Sequence, residues 1–152
     1  MKLTIRPIET TDRAAWQPLW DAYNAFYGRA GATALPSAVT DVLWQRFFDA
    51  SEPVFAFVAE RDSQLIGIAH YLFHRSTTRI APVCYLQDLL TAEAERGHGV
   101  GRALIEAVQE RARAQGSSRL YWHTQTTNVA GRALYDKLAA HTGFIVYAAE
   151  LA

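Results

Sequence analysis

The spacing of apolar positions changes several times along the chain, and each change marks an element. "KLTIRPI" reads as a short strand ending at Pro7. A helix is predicted through about Tyr27, with Thr10 or Thr11 as its cap. Pro18 lies inside it, so a late start or a bend is expected, because proline is best tolerated in a first turn. "GRAGATALPSA", from Gly28 to Ala38, is the most loop-like stretch, and a second helix is predicted from Val39 to Ala50. "VFAFVAE" (54–60) and "QLIGIAHYLFH" (64–74) read as strands joined by the polar "RDSQ", and "VCYLQDLLT" (83–91) follows as a third. Then Val100, Ala103, Leu104, Ala107, Val108 and Ala112 recur at helical spacing, with Gly116 as the stop. "RLYWHTQT" (119–126) returns to strand, Ala130, Ala133, Leu134 and Leu138 form another helical face, and "GFIVYAAEL" is predicted as a last strand. The order is β-α-α-β-β-β-α-β-α-β: an α/β fold with one mixed central sheet flanked by helices, in a single domain over 1–152.

Composition narrows the setting. With 152 residues, half of them hydrophobic and a fifth charged, the chain suits one globular domain. Net charge is zero and no long basic run appears, so no nucleic acid partner is expected. The single cysteine, Cys84, forms no internal disulfide, which suits a reducing compartment. "MKLTIRPIETTDR" has no apolar leader core, and no apolar run approaches a membrane span. The expectation is a soluble, cytoplasmic protein with no membrane partner.

The chemistry starts at "ERGHGVGRAL", residues 95–104, between the third strand of the middle run and the next helix. A helix start offers unpaired N–H groups and partial positive charge, and so attracts anions. Glycines let a ligand approach the backbone, and Arg96 and Arg102 add positive charge. A phosphate or pyrophosphate site is one reading; a tight turn is the other. A Walker A loop would need Lys and Ser or Thr after its last glycine, where Arg102 and Ala103 stand. A dinucleotide fingerprint needs a different glycine spacing in an early βαβ unit.

Arg96, Gly99 and Gly101 fit R-x-x-G-x-G. With them the chain resembles the GCN5-related N-acetyltransferases, an acetyl-CoA-dependent superfamily. "NVAGRALYDKL" resembles that family's N-x-x-A-x-x-x-Y segment, with Asn128 and Tyr135 at matching positions and Gly131 where alanine is usual. "CYLQDLLTAEAERGHGVGRALI" looks like the diamine and polyamine acetyltransferases. "RALYDKLAAHTGFIVY" looks like the yeast branch that acetylates histones and D-amino acids.

The resemblance implies acetyl-CoA as cosubstrate, with no metal, and direct attack of an amine on the thioester in a ternary complex. The implied acceptor is a primary amine of a small molecule: a polyamine, diamine or amino acid. A protein lysine acceptor and a non-catalytic CoA-binding sensor are the rival readings. The loop Arg96, Gly97, His98, Gly99, Val100, Gly101 and Arg102 would cradle the pyrophosphate. The backbone of Leu89, Leu90 and Thr91 would pair with the pantetheine arm. Asn128 would bond CoA, unless it only caps its helix, and Tyr135 would protonate the departing sulfur.

The base is where the sequence departs. The polyamine-acetylating relatives place a glutamate where Gln87 stands, and an amide takes no proton at neutral pH. Asp88 and His123 are the other candidates. Alternation puts Gln87 and Asp88 on opposite faces unless a bulge intervenes. Tyr23 and Tyr27 lie where the family walls its acceptor pocket, and an aromatic wall suits a cationic amine. His70 and His74 raise a metal reading, but no carboxylate or cysteine cluster completes it. Cys84 reads as a small buried residue rather than a nucleophile. Relatives are commonly dimers, and the "GFIVYAAEL" edge is where a homodimer contact is expected.

Overall fold

The computed structural model describes residues 2–151. The chain divides into two compact units, 1–122 and 123–152.

The first unit is built on a five-stranded sheet in the order β1-β2-β3-β4-β5: β1 (Thr4–Pro7), β2 (Val54–Arg61), β3 (Gln64–Ser76), β4 (Arg79–Thr91) and β5 (Leu120–Tyr121). Strands β1 to β4 run antiparallel in sequence order, and β5 joins β4 in parallel. The sheet is therefore mixed, as expected. The polar link between β2 and β3 is a tight turn in which Asp62 and Ser63 both take positive φ, 52° and 62°. Two such residues match the right-handed twist of the flanking strands.

One face of the sheet carries α1 (Arg13–Phe26) and α2 (Ser37–Phe47). A 3-10 turn over Thr10–Asp12 precedes α1, which starts at Arg13 and carries Pro18 in its interior, so the start is not delayed to put the proline in the first turn. Neither Thr10 nor Thr11 caps it. Instead the Asp12 carboxylate accepts from Glu9 N–H at 2.7 Å and from both terminal nitrogens of Arg6 at 2.8 and 2.9 Å. That pins the start of the helix to β1. Trp16, Leu19, Trp20 and Tyr23 of α1 pack with Ala56, Val58, Ile68 and Leu90 of the sheet in the main core.

The other face carries α3 (Val100–Ala114), which buries Val100, Leu104, Ile105, Val108 and Ala112. It lies so close to β3 that a Cβ on Gly67 would sit 3.0 Å from Val100 and 3.1 Å from Leu104.

Two strands differ from expectation. The strand predicted over 119–126 is reduced to Leu120–Tyr121, paired only as Cys84 with Leu120 and Tyr85 with Tyr121. In the second unit, α4 (Val129–Leu138) forms, but "GFIVYAAEL" makes no strand. An apolar run alone does not make a strand; a ladder partner is needed, and this segment has none among the described residues. Phe144 and Tyr147 stay largely exposed, at 84% and 88%. No described helix is long and apolar enough to cross a membrane.

Candidate active site

Across β3 and β4, Tyr71 pairs with Leu86 and His70 with Asp88, which leaves Gln87 without an opposite residue. This is the bulge on which the face of Asp88 depends. It puts Asp88 on the same face as His70, buried to 8%, while Gln87 is exposed. Pairing with β5 stops at Tyr85, two residues earlier. Beyond that point β4 has no parallel partner among the described residues. Ala92 N–H donates to Ile66 at 2.8 Å, which sets the alternation. Asp88 and Leu90 therefore direct their backbone groups to β3, and Leu89 and Thr91 direct theirs to the open edge. The Thr91 carbonyl accepts from Arg96 Nε at 3.2 Å.

Asp88 ends a buried chain of hydrogen bonds. The Trp16 indole donates to His70 Nε2 at 3.0 Å, and His70 Nδ1 lies 2.9 Å from Asp88 Oδ2. An indole N–H only donates, so Nε2 must be the acceptor and the ring proton sits on Nδ1. His70 is thus a neutral donor aimed at the carboxylate. Trp16, Trp20 and Phe47 surround its ring, with centroids 5.9, 5.2 and 5.0 Å away.

Tyrosines cover the other side of the carboxylate. The Tyr23 hydroxyl donates to the Gln87 carbonyl at 3.4 Å and lies close enough to the Asp88 carboxylate to feel its charge. Its pKa is pushed well above the usual phenol range, first by burial and then by the negative charge of Asp88. Tyr27 packs against Tyr23 with ring centroids 5.1 Å apart. Tyr85, stacked on Tyr121 at 4.8 Å, is also pushed up, by burial first and then by the nearby Tyr121, Asp88 and Tyr27. The result is a carboxylate walled by aromatic rings beside an open strand edge.

The glycine loop leads into α3. Gly97 and Gly99 take φ of +80° and +83°, values strained for any residue with a Cβ, and nothing lies within 4 Å of where a Cβ would point. Gly99 is the N-cap of α3, and no side chain caps the helix. The first-turn N–H groups, those of Gly101 and Arg102 among them, thus have no intrahelical partner. A diphosphate fits this open, uncapped start. Arg96 makes no ion pair among the described residues, while Arg102 is held by Glu106 at 2.8 Å, so the two arginines are not equivalent. His98 contacts the Glu95 carbonyl at 3.4 Å.

In the second unit, Asn128 Oδ1 accepts from Gly131 N–H at 3.2 Å and Nδ2 donates to Thr124 at 3.0 Å. The residue is a true N-cap of α4. A Cβ at position 131 would meet the Asn128 side-chain amide, which would have to shift to admit it. Tyr135 follows on α4, and His123 lies at the start of this unit.

Of the residues singled out from sequence, the structure brings Tyr23, Tyr27, Gln87 and Asp88 together. It adds His70, Trp16 and Tyr85. His70 was legible only as half of an H-x-x-x-H pair; its real signal is a register that sets it opposite Asp88. His74 bonds Arg75 O at 2.8 Å and the Tyr121 hydroxyl at 2.7 Å instead. Cys84 is buried and its thiol pushed up to about 12, so it stays protonated at neutral pH.

The Acetyltransferase (GNAT) family pattern matches residues 16–140. The chain belongs to that family: it is an acetyl-CoA-dependent N-acetyltransferase. It is 34% identical over 148 residues to the D-amino-acid N-acetyltransferase HPA3 of Saccharomyces cerevisiae, covering 96% of this chain and 89% of that one. It is 27% identical over 151 residues to the uncharacterized N-acetyltransferase YhfO of Bacillus subtilis, covering 95% of each chain. Among solved structures, the aminoglycoside-acetylating AAC(6')-Iy in complex with a bisubstrate analog superposes with a TM-score of 0.83 at 18% identity, covering all of both chains.

Proposed function

We propose that this enzyme, acting as one domain over 1–152, acetylates the primary amine of a small molecule by direct attack in a ternary complex. The observation that carries the reading is Asp88: a buried carboxylate, oriented by His70, walled by tyrosines, at the bulge where the edge of β4 opens. When bound, acetyl-CoA supplies the activated acyl thioester. The backbone of Leu89 and Thr91 offers it strand-like pairing, and the uncapped start of α3 with Arg96 offers an anion site. Leu90 supports that edge from the core side.

An alkyl ammonium has a pKa of about 10.4, so at pH 7 only about one in 2,500 is neutral. Asp88 holds the ammonium in the aromatic enclosure and accepts its proton, directly or through water. The freed lone pair then forms the N–C bond as the C–S bond breaks. Tyr135 returns a proton to the departing thiolate, a role supported by the family motif. His123 is the alternative base. The activities of relatives, on D-amino acids and aminoglycosides, support a small-molecule amine.

The test is calorimetric titration with acetyl-CoA, followed by a thiol-release screen of amine classes. Micromolar binding and release with one class are expected. Gly99→Glu adds bulk and negative charge at the anion site and should abolish binding. Normal affinity in that variant would remove the loop from the account, and binding without release by any amine would sink the transferase reading.

A further inference from the structure

The loop ahead of α3 carries charge of the wrong sign for its ligand. A 3-10 turn over Glu93–Glu95 leads into Arg96 and the two left-handed glycines, so two carboxylates precede the anion site. Glu93 is exposed, as are the residues from Arg96 to Gly99, but Glu95 is half-buried. Glu95 is fixed through both its backbone and its side chain. Its N–H donates to the Ala92 carbonyl at 2.9 Å, and Ala92 N–H donates in turn to the Ile66 carbonyl of β3 at 2.8 Å. Its Oε2 accepts from Nη1 of Arg61, the last residue of β2, at 2.6 Å.

Strand geometry brings Arg61 there. Alternation along β2 puts Phe57, Ala59 and Arg61 on one face. Arg111 of α3 stands 5.6 Å from the Phe57 ring centre, so this is the α3 face. The register shift beside Ala59 and Glu60 passes over Ile66 of β3, which leaves the alternation of β2 intact. The Arg61 and Glu95 side chains are only 24% and 30% exposed. That shelter matters, because salt screens a partly buried charge less than an exposed one. Without its partner, the Glu95 carboxylate would repel the negative charges of a diphosphate. Arg96, next in the chain, turns its Nε to the Thr91 carbonyl.

We propose that Arg61 is a positioning residue for acetyl-CoA: it acts through Glu95, holding and neutralising that carboxylate so that the loop ahead of α3 accepts a diphosphate. The inference rests on the anion-site reading above. Arg61 itself touches no part of the cosubstrate. Its purely structural role would be to fasten the end of β2 to the loop. That role would not tell a ligand with a diphosphate from one without, and it would not be mended by removing the charge of Glu95.

The experiment titrates acetyl-CoA calorimetrically into wild type, Arg61→Gln, Arg61→Lys and the double variant Arg61→Gln with Glu95→Gln. Acetyl-pantetheine, which has the thioester and the arm but no diphosphate, is measured in each by displacement. Arg61→Gln is expected to weaken acetyl-CoA about tenfold at low salt, as when a charged group loses its hydrogen-bonded partner, and less at high salt. Arg61→Lys keeps most of the affinity. The double variant returns to within about threefold of wild type, the mark of two coupled residues. Acetyl-pantetheine binds all four alike. Thermal unfolding verifies the fold, and Arg61→Met, which keeps most of the apolar stem, stands in if Arg61→Gln does not fold. Unchanged acetyl-CoA affinity in Arg61→Gln, an equal loss for acetyl-pantetheine, or a loss that the double variant does not recover overturns the proposal. If Gly99→Glu also leaves acetyl-CoA affinity intact, the anion-site reading itself has failed, a distinct result.

Discussion

The two faces of the sheet are built by different rules. On the α1 side, the core contains His70 and Asp88 bonded in series to Trp16, with Asn24 and Thr40 also buried and bonded. On the α3 side, the helix contributes Val100, Leu104, Ile105, Val108 and Ala112, and the sheet contributes Gly67 and the protonated Cys84. Both faces are well filled, but only one keeps an ionisable pair out of water. A buried carboxylate costs stability unless it is hydrogen-bonded, and Asp88 meets that condition through His70. The α3 face sets the distance between helix and sheet; under the proposed function, the α1 face sets the chemistry.

That division can be broken at either face. The largest expected effect is Asp88→Asn, which keeps the shape and removes the proton acceptor. Turnover should fall about a thousandfold, with acetyl-CoA affinity kept, in steady-state kinetics paired with calorimetry. Full activity would leave His123 as the base. Next is Leu104→Ala on the opposite face, which should cost about 3 kcal/mol in urea unfolding while leaving turnover at low temperature in place. A smaller effect is expected at Asp12, whose carboxyl is held below its usual range chiefly by the Arg6 guanidinium, against burial. Asp12→Asn should lose about 2 kcal/mol at neutral pH. The folded pKa is depressed, so this contribution is complete above the ordinary value of about 3.9 and disappears as pH falls through the lower folded value. Parallel unfolding curves of wild type and variant from pH 7 to pH 2 would check it. The smallest is His70→Leu, which should lower kcat about tenfold without raising KM for acetyl-CoA. His70→Gln, which keeps a donor, should recover part of it; no difference between the two would reduce His70 to packing.

Much of this was legible in the chain. Apolar period located α3 and α4 to within a residue or two, and the glycines of "ERGHGVGRAL" sit where a bare helix start was expected. What failed is what period cannot encode. "GFIVYAAEL" is as apolar a run as β2, but a strand exists only with a partner. The pairing of His70 with Asp88 depends on one extra residue in β4, and no local pattern announces which residue that is. Arg61 reads only as part of the polar link "RDSQ", because its partner Glu95 lies 34 residues further along the chain.

The bulge has a consequence for how this enzyme tolerates change. Removing Gln87 would leave Leu86 and Asp88 still opposite Tyr71 and His70, so the carboxylate would keep its neighbour. What would disappear is the bulge itself, and with it the local bend and added twist it gives β4 two residues past its last pair with β5. Gln87 contributes one unpaired residue of backbone, and the register on either side of it fixes where that extra residue sits in β4.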